Sequence, residues 1–245
     1  MSVSPTPPDQ ALESAVCLIT GGSSGVGLAT AAKFVAEGCA VAICARNINR
    51  LTAAYEHLRG VTADADVLAI TADLNQPLSL GTIVQQVMER WGRIDTLVNN
   101  AAVAPLAPLD ETTDDAFEQV VNVNIRSVFY LTRAVWTIME RQKSGTIINL
   151  SSLAAVDPFP GFSVYGSSKA WIELFTTALS NEGRDCGINV FAVRAGTIET
   201  PLLRGLFPDF PAEQTLRPEQ VAEVIWSLSQ PAMAPASGQA IMIKR

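Results

Sequence analysis

Tyr165-Gly166-Ser167-Ser168-Lys169 puts a phenol and an ammonium four residues apart, with Ser152 thirteen residues before the tyrosine. On a helix over 163–183 these two side chains share one face, a turn apart. Tyrosine ionises near pH ~10 in isolation, and a neighbouring cation favours the phenolate, drawing that value toward neutrality. The pair is therefore an acid/base device if the chain brings a substrate to it. The same spacing is also ordinary on helix surfaces, so the decision rests on the surrounding elements.

Residues 1–14, rich in Pro and Ser, read as a disordered lead-in. The apolar run 15–20 then stops at glycines, as a buried parallel strand does. Further strand-like runs fall at 40–45, 67–72, 96–100, 145–152, 188–193 and 239–244. Helical periodicity covers 28–37, which closes on Gly38 as a C-cap, then 51–58, 80–91, 112–141, 163–183 and 218–229. Thr112 or Thr113 can cap the long helix, whose early acids suit the positive end of its dipole, and Pro218 opens the last helix at its first turn. Strands alternating with helices predict an α/β fold: a doubly wound parallel sheet with helices on both faces. The pattern shows no internal boundary, so 15–245 is expected to be a single domain.

The chain has 245 residues, 48% of them hydrophobic and 17% charged, with a net charge of −7 and a pI near 4.8. That balance argues against nucleic acid or an anionic membrane surface as partner. No apolar run reaches the ~18 residues of a membrane span, and the N-terminus lacks a basic-then-apolar signal. Cys17, Cys39, Cys44 and Cys186 show no metal or redox spacing and read as reduced thiols of a cytoplasmic protein. A single histidine, His57, argues against a His-based metal centre.

Gly21-Gly22-Ser23-Ser24-Gly25-Val26-Gly27 lies between the first strand and the first helix, where helix-terminal N–H groups attract phosphate. Gly21 permits the tight turn, Gly25 lets backbone approach a pyrophosphate, and Gly27 allows close helix–strand packing. The spacing is G-x-x-x-G-x-G rather than the usual G-x-G-x-x-G, and Leu28 stands where a Walker A lysine would. Gly21 to Gly25 also fits the G-x-S-x-G elbow of hydrolases, but that chemistry needs a histidine late in the chain, and His57 is early. Arg46 follows the second strand, where an acid would accept the ribose hydroxyls of NAD and an arginine can pair with the 2′-phosphate of NADP. Asp73 ends the third strand, where it can accept from an adenine amine or cap the next turn.

Thr20-Gly-Gly-Ser-Ser-Gly-Val-Gly27, Asn99-Asn-Ala-Ala102, Asn124, Ser152 and Tyr165-x-x-x-Lys169 together resemble the short-chain dehydrogenase/reductase family, in its order and near its spacing from about 15 to 201. The resemblance implies a Rossmann-type fold with a seven-stranded parallel sheet and an NAD(P)-dependent oxidoreductase that interconverts a ketone or aldehyde with an alcohol, and Arg46 favours NADP(H) over NAD(H). It makes Tyr165 the general acid/base, Ser152 the group that holds the carbonyl oxygen, and Lys169 the binder of the nicotinamide ribose that lowers the tyrosine pKa. Asn124 anchors a water in a proton relay. The cofactor site it implies comprises Gly21, Ser23, Ser24, Gly25, Val26, Gly27, Arg46, Asp73, Leu74, Asn100, Ala101, Ala102, Tyr165, Lys169, Gly196, Thr197, Ile198 and Thr200.

The chain departs from the family pattern at Ala102, which replaces a glycine, and at Ala195-Gly196, which replaces Pro-Gly. The stretch 200–217, the family's substrate lid, is short and apolar at Leu202, Leu203, Leu206, Phe207 and Phe210. It reads either as an open mouth or as a small helix packed on the body. Leu153, Ala154, Phe159 and Phe162 complete an apolar pocket with no charged anchor, suited to an uncharged or thioester-linked carbonyl such as a 3-oxoacyl group. The family's dimer pairs the helices at 112–141 and 163–183, here carrying Trp136, Trp171, Leu174 and Phe175. The C-terminal Ile241-Met-Ile-Lys-Arg245 lacks the tail used for the common tetramer. A dinucleotide-binding regulatory or scaffold subunit is the rival reading, motivated by these departures.

Overall fold

In a computed structural model, which describes residues 15–245, seven strands form one parallel sheet. The lead-in expected at 1–14 lies outside the described residues. The strands are β1 Val16–Thr20, β2 Ala40–Ala45, β3 Val67–Thr71, β4 Thr96–Asn99, β5 Gly145–Ser152, β6 Ile188–Ala195 and β7 Ala240–Ile243. Between them run α1 Gly25–Ala36, α2 Ile48–Arg59, α3 Pro77–Trp91, α4 Asp114–Val120, α5 Ser127–Gln142, α6 Ser163–Gly183, α7 Pro201–Leu206 and α8 Pro218–Ser229.

The sheet order is β3-β2-β1-β4-β5-β6-β7. Strand order therefore reverses at β1, and the chain leaves β1 and β4 in opposite directions, which opens a crevice at their carboxyl ends. Because successive strand residues face opposite sides, each strand divides its apolar content between two cores. Ile19, Ile43, Val98, Ile148 and Phe191 pack under α1, α2 and α8 through Phe34, Leu58 and Ile225. Leu18, Ala42, Leu97, Ile147 and Val190 pack under α3, α5 and α6 through Val87, Leu131 and Leu179. Burial on both faces is why the strands read as near-continuous apolar runs.

A polar chain also crosses the sheet. Asn99 donates to Thr132 Oγ1 on α5 (3.2 Å) and to Asn149 Oδ1 (2.8 Å), and Asn149 donates to Thr176 Oγ1 on α6 (2.9 Å). Asn99 and Asn149 are register partners on β4 and β5. All four residues are buried, so the chain fixes two helices to adjacent strands at a depth where an unpaired amide is costly.

The expected helix over 112–141 is not continuous. It starts at α4, capped by Thr113, which accepts from Ala116 N at 3.2 Å. A π turn at Val121–Arg126 then separates α4 from α5. The apolar steps on either side, Val120 to Val123 and Val128 to Leu131, are three residues, and the step across the turn, Val123 to Val128, is five. The second difference is at 200–217, where the small-helix reading holds. Thr200 caps α7 by accepting from Leu203 N at 3.2 Å, and Pro201 fills its first turn. No helix among the described residues is long and apolar enough to cross a membrane.

Candidate active site

The glycine loop closes on the carboxyl end of β2, with Gly21 N donating to the Cys44 carbonyl at 2.9 Å. Gly21 and Gly25 take φ of 68° and 52°, a left-handed backbone that favours glycine. A Cβ on Gly27 would lie 2.3 Å from the Gly21 carbonyl oxygen, so α1 can approach the loop this closely only without one. Thr20 and Asn100 lock β1 to β4 behind it. Thr20 Oγ1 accepts from the backbone of Asn100 and Ala101, both at 3.0 Å, and Asn100 Nδ2 donates to the Thr20 carbonyl at 2.8 Å. Ser24 begins α1 with no side-chain cap among the described residues, leaving the helix N–H groups facing the crevice.

The crevice is a cleft of about 460 Å³ that runs from Arg46, Asp73 and Leu74 past Ser23 and Gly25 to Tyr165 and Lys169. Ser24, Val26, Ala101, Ala102, Ile198 and Thr200 also line it, as the sequence led us to expect. Gly27, Gly196 and Thr197 lie outside its lining. Asp73 accepts from Asn75 N at 3.0 Å, so it caps its own turn while facing the cleft. The Thr200 hydroxyl is engaged in capping α7.

At the far end of the cleft, α6 presents Tyr165 and Lys169 to β5. Lys169 is buried, and its Nζ donates to the Leu150 carbonyl at 2.7 Å and stands 5.7 Å from the centre of the Tyr165 ring. Burial pulls the ammonium from its ordinary 10.5 down to about 8. A hydrogen bond joins Tyr165 to Ser152, whose own Oγ accepts from Ala154 N at 3.2 Å. Burial raises the Tyr165 phenol above its ordinary 10, and the Ser152 bond offsets part of that rise. The expected lowering by Lys169 is thus not what this arrangement produces: the ammonium points at a backbone carbonyl, and desolvation of the phenolate wins.

Asn124 sits fully buried in the π turn. Its side chain exchanges two 2.9 Å hydrogen bonds with the backbone of Val103, and its second N–H reaches Ser168 Oγ at 3.1 Å. Both amide hydrogens are thus committed, and what Asn124 keeps for a water is acceptor oxygen, on its side chain and its backbone. What the side chain does here is fasten the loop after β4 to α6.

Three contributions escaped the sequence reading. Arg50 lines the cleft beside Arg46, brought there by the start of α2, where Asn47 Oδ1 accepts from Arg50 N at 3.0 Å. Glu173, one turn beyond Lys169, accepts from Arg194 Nε at 2.8 Å, Arg194 Nη2 at 2.5 Å and Ser151 Oγ at 2.7 Å. This clamp fastens α6 to the strand that ends in Ser152 and to the strand that leads into Gly196. No local spacing could have found it, because its partners lie 21 and 22 residues away in sequence. Phe162, expected only as pocket lining, packs 5.2 Å from the Tyr165 ring and 6.2 Å from Phe207, tying α6 to the segment after α7.

The chain belongs to the short-chain dehydrogenase/reductase family. The family model for short chain dehydrogenases matches residues 15–210. A 3-oxoacyl-[acyl-carrier-protein] reductase from Thermotoga maritima is 36% identical over 244 residues, covering 95% of this chain and 97% of the relative. Among solved structures, a variant actinorhodin polyketide ketoreductase with NADPH superposes at a TM-score of 0.88, with 29% identity over 96% of this chain and 97% of the other. A 3-ketoacyl-(acyl-carrier-protein) reductase from Brucella melitensis, complexed with NADH, superposes at 0.86, with 27% identity over 96% and 98%. The family is one of oxidoreductases, and the glycine loop, lining the cleft at the amino end of α1, fits the phosphates of a nicotinamide dinucleotide.

Lys169 makes fold stability depend on pH. Its folded pKa of about 8 lies below the ordinary 10.5, so between these values the unfolded chain holds more protons and stability rises with pH. Wild type should therefore gain about 3 kcal/mol relative to Lys169→Met as pH rises through that window. Denaturant unfolding of both proteins at several pH values measures this, and a constant difference would contradict a depressed Lys169.

Proposed function

We propose that residues 15–245 act as one catalytic domain that reduces an apolar ketone or aldehyde to an alcohol with NADP(H), or runs the reverse reaction. The observation that carries the reading is the meeting of Tyr165, Ser152 and Lys169 at the end of a cleft whose other end holds the glycine cradle. The bound cofactor supplies the hydride. Ser152 hydrogen-bonds the carbonyl oxygen and fixes the carbonyl carbon before the cofactor. Tyr165 gives that oxygen a proton as its charge develops, and takes one back in the oxidative direction. A phenol kept protonated by burial is suited to donate. Lys169, still mostly ionised at neutral pH, binds the nicotinamide ribose and supplies positive charge beside the phenolate that forms. Asn124 completes the proton path through an acceptor oxygen and braces the wall.

Arg46 and Arg50, which line the same end of the cleft as Asp73, together favour a 2′-phosphate there, because two guanidinium groups suit a doubly charged anion. Residues 200–217 serve as the substrate lid, clasped by Arg204, which pairs with Glu199 at 2.7 and 2.5 Å. The protein works in the cytoplasm as a homodimer through α5 and α6. Phe129, Tyr130 and Leu174 are exposed on these helices, and Trp171 stacks on Phe175 at 4.6 Å. Such a continuous apolar and aromatic face is what a partner copy covers.

Tyr165→Phe should lower turnover by about 10²–10⁴-fold while leaving cofactor affinity, read by tryptophan fluorescence, unchanged. An active variant would remove Tyr165 from the chemistry. Arg46→Ala should weaken NADPH binding by about 10–100-fold and NADH binding little, the range set by one charge-assisted hydrogen bond. Equal effects on both cofactors would contradict the 2′-phosphate assignment. In sedimentation, wild type should run as a dimer and Leu174→Glu as a monomer; a monomeric wild type would overturn the α5–α6 interface.

A further inference from the structure

Three segments meet around Tyr165. The first is the loop 103–115 after β4, the second is 153–163 after β5, and the third is 200–214. Ala107 N donates to the Gly161 carbonyl at 3.2 Å, Phe162 touches both Tyr165 and Phe207, and Val103 and Leu202 line the cleft beside Tyr165. The segments expose large apolar side chains at Leu106, Leu109, Val156, Phe159 and Leu202, with Leu109 76% and Phe159 64% exposed. Isolated surface apolar residues need no explanation, but Phe159 packs 6.2 Å from Phe162, Leu106 lies against Gly161 and Leu202 lines the cleft, so these three gather beside the Tyr165 phenol.

Their charge is one-sided. Asp110, Glu111, Asp114 and Asp115 stand on the first segment, Asp157 on the second, and Asp209 and Glu213 on the third. The single base among them, Arg204, is consumed by Glu199 and by the Pro208 and Phe210 carbonyls at 2.8 and 2.7 Å. Asp110, Glu111, Asp114, Asp115, Asp157 and Glu213 form no ion pair among the described residues. Lys244 and Arg245 stand at the foot of the third segment, beside Gly196 and Thr215, and Arg46 and Arg50 are at the opposite end of the cleft. Within these three segments no base besides Arg204 offers a cation to a phosphate or an acidic carrier.

We propose that the apolar, acid-rimmed mouth over Tyr165 selects an uncharged, apolar carbonyl compound free in solution, and disfavours the same carbonyl borne on a coenzyme A or acyl-carrier thioester. The inference rests on the carbonyl-reductase reading above and narrows its substrate. It separates this chain from relatives whose names specify acyl-carrier-bound substrates.

The test presents one reacting group on two carriers. Acetoacetyl thioesters of N-acetylcysteamine, which is neutral, and of coenzyme A, which is anionic, are compared by kcat/KM with NADPH and NADH at low and high salt. A cyclic apolar ketone and a polyhydroxy ketone run beside them. Expected are a preference of at least about tenfold for the neutral thioester at low salt, shrinking as salt screens the rim, and a preference for the cyclic over the polyhydroxy ketone. Asp110→Lys/Glu111→Lys should raise kcat/KM for the coenzyme A thioester and leave the neutral one unchanged. Equal or better use of the coenzyme A thioester at low salt, a preference indifferent to salt and to charge reversal, or preference for the polyhydroxy ketone would each overturn the proposal. If no carbonyl in the panel is reduced while the protein binds cofactor, the carbonyl-reductase reading itself fails and the proposal falls with it.

Discussion

The site depends on a cation held where water is excluded. Lys169 is buried at the end of the central strands, with one hydrogen bond to the Leu150 carbonyl and its pKa depressed to about 8. Holding an ammonium there is unfavourable to the fold, and the surrounding architecture compensates. The Glu173 carboxylate fastens α6 to β5 and β6 through Ser151 and Arg194, and Asn149 fastens it again through Thr176. Asn124 reaches across from the π turn to Ser168. These ties leave α6 little freedom to slide or rotate, so Lys169 and Tyr165 are held against Ser152. A charge that destabilises the fold locally is retained at the point where the proposed chemistry uses it, which is the usual relation between strain and function.

The other end of the cleft obeys a steric constraint. Gly27 lets α1 come within Cβ-forbidding distance of the Gly21 carbonyl, and Thr20 and Asn100 hold β1 and β4 together behind it. The loop is thereby pinned from below while its N–H groups and the start of α1 stay open above. The reversal of strand order at β1 brings this cradle and the Tyr165 end into one continuous cleft.

Much of this was legible in the sequence because local chemistry and global fold agree. β5, α6 and α8 fall at the expected bounds: Gly145 and Pro218 mark two of the starts and Gly183 the end of α6, which leaves little choice. The glycine loop was legible from its position between strand and helix, and Ser152, Tyr165 and Lys169 from their spacing. The π turn was missed because it changes no residue type, and its one trace, the five-residue apolar step from Val123 to Val128, is filled by Asn124 and Ser127, which are polar yet buried. The sign of the Tyr165 shift was missed because spacing gives proximity to Lys169 but neither the direction of its Nζ nor the depth of the phenol. The Glu173 clamp was missed because its partners are distant in sequence, and Arg50 because only the turn into α2 brings it to the cleft. The 200–217 segment was undecided until the Arg204–Glu199 clasp and the Thr200 cap showed a packed helix.

The central claim is that hydride from a nicotinamide cofactor and a proton from Tyr165 meet at one carbonyl. The most direct measurement is the fate of a label: the protein is given NADPH deuterated at the transferable position together with an apolar cyclic ketone, and the alcohol is examined by mass spectrometry. The account predicts one deuterium at the carbinol carbon and none exchanged from solvent at that carbon. Cofactor oxidation without transfer of the label to the alcohol would contradict it.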